Sequence, residues 1–167
     1  MISDRNAYSP LAVAKFFLQQ GRGDADLTPM KLIKLVYIAH GWHMAVTNES
    51  LIAENAEAWP YGPVVPSVYE HYKTYGKDRI PSQEANHLST EVKQDDSTTR
   101  TLLDIVWNKY GDYDGLQLST LTHKRGTPWY EVWHNRGGKD QRSVPIPNPL
   151  IQGHYKEIIS DAMGDEW

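Results

Sequence analysis

Two histidines three residues apart, His40 and His43, are the first side chains here whose type and spacing could do chemistry. On a helix that spacing brings two imidazoles to one side, where they could share a metal ion. The pattern around them is incomplete. No glutamate follows in a His-Glu-x-x-His arrangement, and the chain has no cysteine to complete a ligand set. The other histidines, His71, His87, His123, His134 and His154, are scattered. The sequence also lacks a Gly-x-Ser-x-Gly elbow, a Gly-x-x-x-x-Gly-Lys-Ser/Thr phosphate loop and a Gly-x-Gly-x-x-Gly dinucleotide turn. Glu54, Glu57, Asp112 and Asp114 fall near loops, where a solvated carboxylate is the ordinary outcome. Glu57, beside Trp59, is the best placed of them. These residues describe a protein without catalytic groups, metal or cofactor. A metal-dependent hydrolase built on His40 and His43 is the alternative.

The aromatic content points elsewhere. The chain carries 10 Tyr and 6 Trp but only 2 Phe. Amphipathic aromatics combine contact area with a polar handle and are enriched where proteins bind one another. They concentrate in two distinctive runs. The first is Ala58-Trp59-Pro60-Tyr61-Gly62-Pro63-Val64-Val65-Pro66-Ser67-Val68-Tyr69. Its prolines and glycine restrict the backbone to a fixed turn before a helix, displaying Trp59 and Tyr61. That turn is either a recognition surface or a structural corner. The second run, Leu118 to Trp129, ends one helix in His123-Lys124-Arg125, turns at Gly126 and restarts at Thr127-Pro128-Trp129. A hydrogen bond from His123 to the start of the next helix, as a structural cap, is expected there in preference to catalysis.

The elements that must position these residues are mostly helical. Ser9-Pro10, Thr28-Pro29 and Thr127-Pro128 each place a capping hydroxyl before a proline at the first helical position. The first helix ends at Gly21, followed by a short polar loop, Arg22 to Asp26. The second runs from Pro29 to about Thr47, with apolar residues on nearly every side, as in a buried central helix. Lys31 and Lys34 are its main polar relief. Gly41 lies mid-helix, where it costs about 1 kcal/mol relative to Ala, and tight packing against another element is expected there.

Leu51 to Trp59 is ambiguous: Leu51–Ala53 and Ala56–Trp59 could form two short strands around Glu54-Asn55, but Ala and Glu are poor strand formers, and irregular chain is expected from Trp59 to about Val65. Further helices are expected from Pro66 to Tyr75, from Asp96 or Ser97 to Gly111, from Leu116 to His123, from Thr127 onward, and from Leu150 to about Met163. Lys77 to Thr98 reads as the least structured part and Arg136 to Asp140 as a mobile loop. The fold class is mainly α, an irregular bundle of six or seven helices with a small β-hairpin, in one domain over 1–167.

Composition bounds the partners. Formal net charge is −4, and no basic cluster exceeds Lys124-Arg125. Nucleic-acid binders carry a basic footprint, so DNA or RNA is disfavoured as a partner and a DNA-binding regulator is a secondary alternative. No apolar run approaches the ~20 residues that a membrane span needs. The absence of cysteine and of a signal-peptide layout fits the cytoplasm.

Three blocks in order, Leu27–Trp42, Glu57–Tyr69 and Leu118–His123 with the Pro128-Trp129 pair, resemble the Panacea antitoxin domain, the SocA-like and phage-associated GepA-like family. The resemblance spans about residues 9–135. It implies an antitoxin that binds a co-encoded toxin, with small-alarmone-synthetase-like enzymes among the toxins paired with the family. It also implies, for one branch, an adaptor that delivers the toxin to a ClpXP-type protease. Under that resemblance the expected partner-binding residues are Lys31, Lys34, Glu57, Trp59, Tyr61, Tyr69, His123 and Trp129. Gly41, Gly62, Pro63 and Pro128 are the structural turn and packing positions.

Overall fold

The computed structural model describes residues 1–21 and 27–164, so the loop expected over 22–26 lies outside the described residues. The three Ser/Thr-Pro signals each start a helix. Ser9 Oγ accepts from the Leu11 amide at α1 (Pro10–Gln20), and Thr28 Oγ1 from Lys31 at α2 (Pro29–Thr47). Thr127 Oγ1 accepts from Tyr130 at α6 (Pro128–Tyr130), which continues as a π-helical turn over Glu131–Asn135. In each case a side-chain oxygen satisfies an amide with no intrahelical partner. Two carboxylates expected to be solvated work the same way. Asp114 forms a capping box with Gln117 at α5 (Gly115–His123). Glu54 accepts from the Ser67 amide, 3.1 Å away, at the start of α3 (Pro66–Tyr72). Asp96 caps α4 (Ser97–Tyr110) through the Thr99 amide. The last helix, α7, covers Asn148–Gly164 and so begins two residues before Leu150.

The all-apolar reading of α2 holds. The helix is the hub of a mainly α fold, packing against α1, α3, α4, α5 and α7. Its lysines are a correction. Lys31 and Lys34 are 4% and 2% exposed and give α2 no polar face. Each turns its ammonium inward onto a backbone carbonyl, Gly111 O at 2.5 Å and Pro63 O at 2.7 Å. A buried cation needs such an acceptor, and the long apolar stems pack with the core. The close approach expected at Gly41 is present. A Cβ there would stand 2.1 Å from the Tyr155 ring of α7.

The small sheet differs from its expected form. Its hairpin is β1 (Glu57–Trp59) with β2 (Gly62–Val64), and a third strand, β3 (Val144–Pro145), gives the antiparallel order β2-β1-β3. The turn is therefore Pro60-Tyr61, not Glu54-Asn55, and a strand occupies part of the segment expected to be irregular. The Leu51–Ala53 stretch instead meets the N-terminal segment through a parallel bridge between Tyr8 and Ile52. Proline is tolerated in β2 because β2 is an edge strand and Pro63 turns its carbonyl away from β1, toward Lys34. In an antiparallel ladder the amide of a residue points to the same side as its carbonyl, so the missing N–H costs no ladder bond.

Three further expectations change. A 3-10 turn at Ser82–His87 orders part of the segment read as least structured. Another, at Gly138–Asp140 with Gly138 buried, occupies the stretch read as a mobile loop. The helix from Pro66 shortens to Tyr72 and tightens to 3-10 over Lys73–Tyr75.

Candidate functional site

The histidine pair is committed to packing. His40 is fully buried; its Nδ1 accepts from the Leu51 amide at 3.3 Å, and its Nε2 donates to Asn148 Oδ1 at 3.0 Å. Burial pushes its pKa down to about 4, so the neutral ring is the one that these bonds require. His43 donates from Nδ1 to the Glu49 carbonyl at 2.8 Å, and its Nε2 meets Thr99 Oγ1 at 3.2 Å. All four ring nitrogens are thus used within the fold. Among the described residues no group of three or more His, Asp or Glu side chains is placed to hold a metal ion.

The structure gathers a different set. Trp59 pairs with Gly62, leaving Pro60 and Tyr61 as a two-residue turn, and Gly62 has φ +111°, a conformation that favours glycine. Three alternate carbonyls of this turn are each held by a side chain from a separate helix. Trp129 Nε1 of α6 donates to Trp59 O at 2.7 Å. Ser119 Oγ of α5 donates to Tyr61 O at 2.8 Å. Lys34 Nζ of α2 donates to Pro63 O at 2.7 Å. Above these pins the Tyr61 side chain is 73% exposed. Leu116, three residues before Ser119 on the same face of α5, is equally exposed at 73%, and Tyr113 just before α5 is exposed too.

Electrostatics under the tip follow from burial. Desolvation lowers the Lys34 pKa to about 7, well below the ordinary lysine value. Gly62 packs directly over this group, since a Cβ built there would lie 3.1 Å from Nζ. Lys31, one turn earlier on α2, also sits near the Trp107 ring, 5.7 Å from its centroid.

The eight expected partner-binding residues therefore divide in two. Lys31, Lys34 and Trp129 are buried, and Lys34 and Trp129 brace the tip from within. Tyr61 is exposed, while Glu57, Trp59, Tyr69 and His123 are half-buried around it. Trp59 Nε1 donates to Glu57 Oε1 at 3.0 Å, and the Trp59 ring meets the Tyr69 ring edge-on at 4.9 Å. His123 does not cap the next helix as expected. Its Nδ1 turns back to the Ser119 carbonyl of its own helix, while its ring packs against Trp129 at 5.3 Å. Pro128 is the buried first residue of α6 and sets the direction from which Trp129 reaches the hairpin.

Ser119 was not singled out by sequence reasoning. Its only signal was its place four residues before His123 on the same helical face. The arrangement presents the exposed Tyr61 side chain on a turn whose backbone is held from three helices.

Comparison with known proteins supports the family resemblance. The family model described as "Antitoxin SocA-like, Panacea domain" matches residues 32–130, more than half of the chain. Antitoxin SocA of Caulobacter vibrioides (strain NA1000 / CB15N) is 26% identical over 164 residues, covering 93% of this chain and 87% of that protein. No solved structure matches.

Proposed function

The chain belongs to the SocA-like Panacea antitoxin family, and from that premise we propose that it neutralises a co-encoded toxin by binding it directly through the hairpin tip. One observation carries this reading: three helices each commit a side chain to hold the turn that exposes Tyr61. Exposed tyrosines need no such bracing for stability. A rigid anchor loses little freedom on binding, which is how preorganisation raises affinity. Aromatic anchors of this kind are each worth about 2 kcal/mol or more at an interface. In this reading Tyr61 and Leu116 enter the toxin surface. Trp59, Tyr69, Glu57 and His123 form the surround, and Lys34 and Trp129 act from beneath.

The proposed setting is the cytoplasm, with 1–167 acting as one domain. No helix among the described residues is long and apolar enough to cross a membrane. The test is co-expression with the neighbouring gene under separate promoters, with growth and toxin abundance read together. Rescue at unchanged toxin abundance is the expected result and corresponds to occlusion. Rescue with toxin depletion that requires a ClpXP-type protease would replace occlusion by delivery. A harmless neighbour, or toxicity that persists beside soluble antitoxin, would refute the reading.

A further inference from the structure

The amine beneath the hairpin turn is short of acceptors. A charged lysine carries three N–H donors. Lys34 has one hydrogen-bond partner among the described residues, the Pro63 carbonyl at 2.7 Å, and it makes no ion pair with any of them. Lys31, one turn earlier and also buried, is better provided, with the Gly111 carbonyl and the nearby Trp107 ring. Gly62 closes the space over Lys34. A Cβ there would stand 3.1 Å from Nζ, 3.4 Å from His123 Cβ and 3.6 Å from Thr122 Oγ1. The Thr122 hydroxyl already donates to the Leu118 carbonyl at 2.8 Å. Next to this roof, Pro60 and Tyr61 are exposed.

This geometry suits a neutral amine and not an ammonium. Protonated in place, Lys34 would hold a buried charge with donors left over, and such groups are costly unless paired or hydrated. The titratable groups on the elements around the turn are engaged elsewhere. On α2, Lys31 donates to Gly111 O; on α5, His123 turns Nδ1 to the Ser119 carbonyl; on β1, Glu57 accepts from Trp59 Nε1. Burial alone brings the Lys34 pKa down to about 7, with no charge on α1, α3, α4 or α7, the other helices packed on α2, contributing. Water reaches the ammonium most directly if the turn lifts, because its roof is a glycine beside two exposed residues. Lifting the turn undoes the bond from Lys34 to Pro63 and displaces Tyr61, two residues before it.

Resting on the antitoxin reading, we propose that the hairpin tip is a proton-gated anchor: protonation of Lys34 lifts the turn, and toxin is held only while the amine is neutral. Apparent affinity then scales with the fraction of neutral amine, which falls about tenfold for each pH unit well below the Lys34 pKa. The experiment measures the affinity of purified co-encoded toxin from about pH 5.5 to 8.5 for wild-type chain, Lys34→Met and Tyr61→Ala. In parallel, amide exchange of the hairpin is followed in the free wild-type chain, corrected for the intrinsic pH dependence of exchange. The expected result is a wild-type affinity that is level above about pH 8 and falls toward tenfold per unit in acid, with hairpin protection falling in step. Lys34→Met, whatever its absolute affinity, should lose that dependence. The same acid loss in Lys34→Met, or a wild-type affinity level throughout, overturns the gate, and impaired binding by Tyr61→Ala then leaves the tip standing. A wild-type chain that binds no toxin at any pH overturns the antitoxin reading. The gate is still decided in the free chain, where hairpin protection unchanged between pH 8 and 6 overturns it even if Lys34→Met does not fold.

Discussion

Tyr61 and Lys34 show how one short turn divides labour between a residue that faces outward and one that never does. Truncating Tyr61 removes no internal side-chain contact of note, because the pin from Ser119 reaches its backbone carbonyl. Tyr61→Ala should therefore leave the thermal midpoint unchanged and weaken toxin binding about 30-fold, the equivalent of about 2 kcal/mol. Lys34 predicts the opposite pattern, visible in stability and its pH dependence. Its folded pKa of about 7 lies below the ordinary 10.5. Between those values the unfolded chain holds a proton that the folded chain has released, so stability rises with pH through this window. One such group contributes about 1.4 kcal/mol per pH unit. Lys34→Met should flatten the wild-type rise measured by denaturant unfolding between pH 7.5 and about 9.5, below the range where buried tyrosines ionise. An equal slope in both proteins would show that Lys34 stays charged in the fold.

At the scale of elements, two helical glycines make opposite predictions. Gly41 is covered by Tyr155, so Gly41→Ala forces a Cβ into a ring 2.1 Å away. That overpacking should cost about 1–3 kcal/mol despite the better helix propensity of alanine. Gly153 faces open space, and Gly153→Ala should add about 1 kcal/mol of stability. Chemical denaturation of the two variants side by side checks the pair. The same contrast shows what sequence could and could not supply. The hydroxyl-proline starts of α1, α2 and α6 were legible because a cap acts within three residues of itself. The need for room at Gly41 was legible from its place in an apolar helix. The hairpin register was not, because β1 and β2 are three residues long and their pairing depends on Lys34, Ser119 and Trp129, which lie 29, 58 and 70 residues from the carbonyls they hold. The lysines were misread for the same reason. A lysine in a helix ordinarily marks the wet side, and only the tertiary fold reveals the carbonyls that accept Lys31 and Lys34 indoors.

For the whole molecule, the fold turns an all-apolar central helix into the base of a binding surface. The helix α2 joins α1, α3, α4, α5 and α7, and through Lys34 it reaches the tip as well. A groove beside α7, lined by Arg125, Glu131 and Glu157 among others, was not legible in the sequence, because these residues come together only when α6 and α7 pack. With a net charge of −4 and no basic cluster, the chain should show no specific retention of its own upstream DNA in a gel shift at about 0.15 M salt. A salt-resistant shift there would point to a regulatory role instead.

The most direct measurement is the affinity of purified co-encoded toxin for wild-type chain and for Tyr61→Ala, each checked for an unchanged thermal midpoint. The pinned-tip account predicts a stable complex with the wild type and a loss of about 30-fold in the variant at equal stability. Equal affinities for the two folded proteins would contradict it.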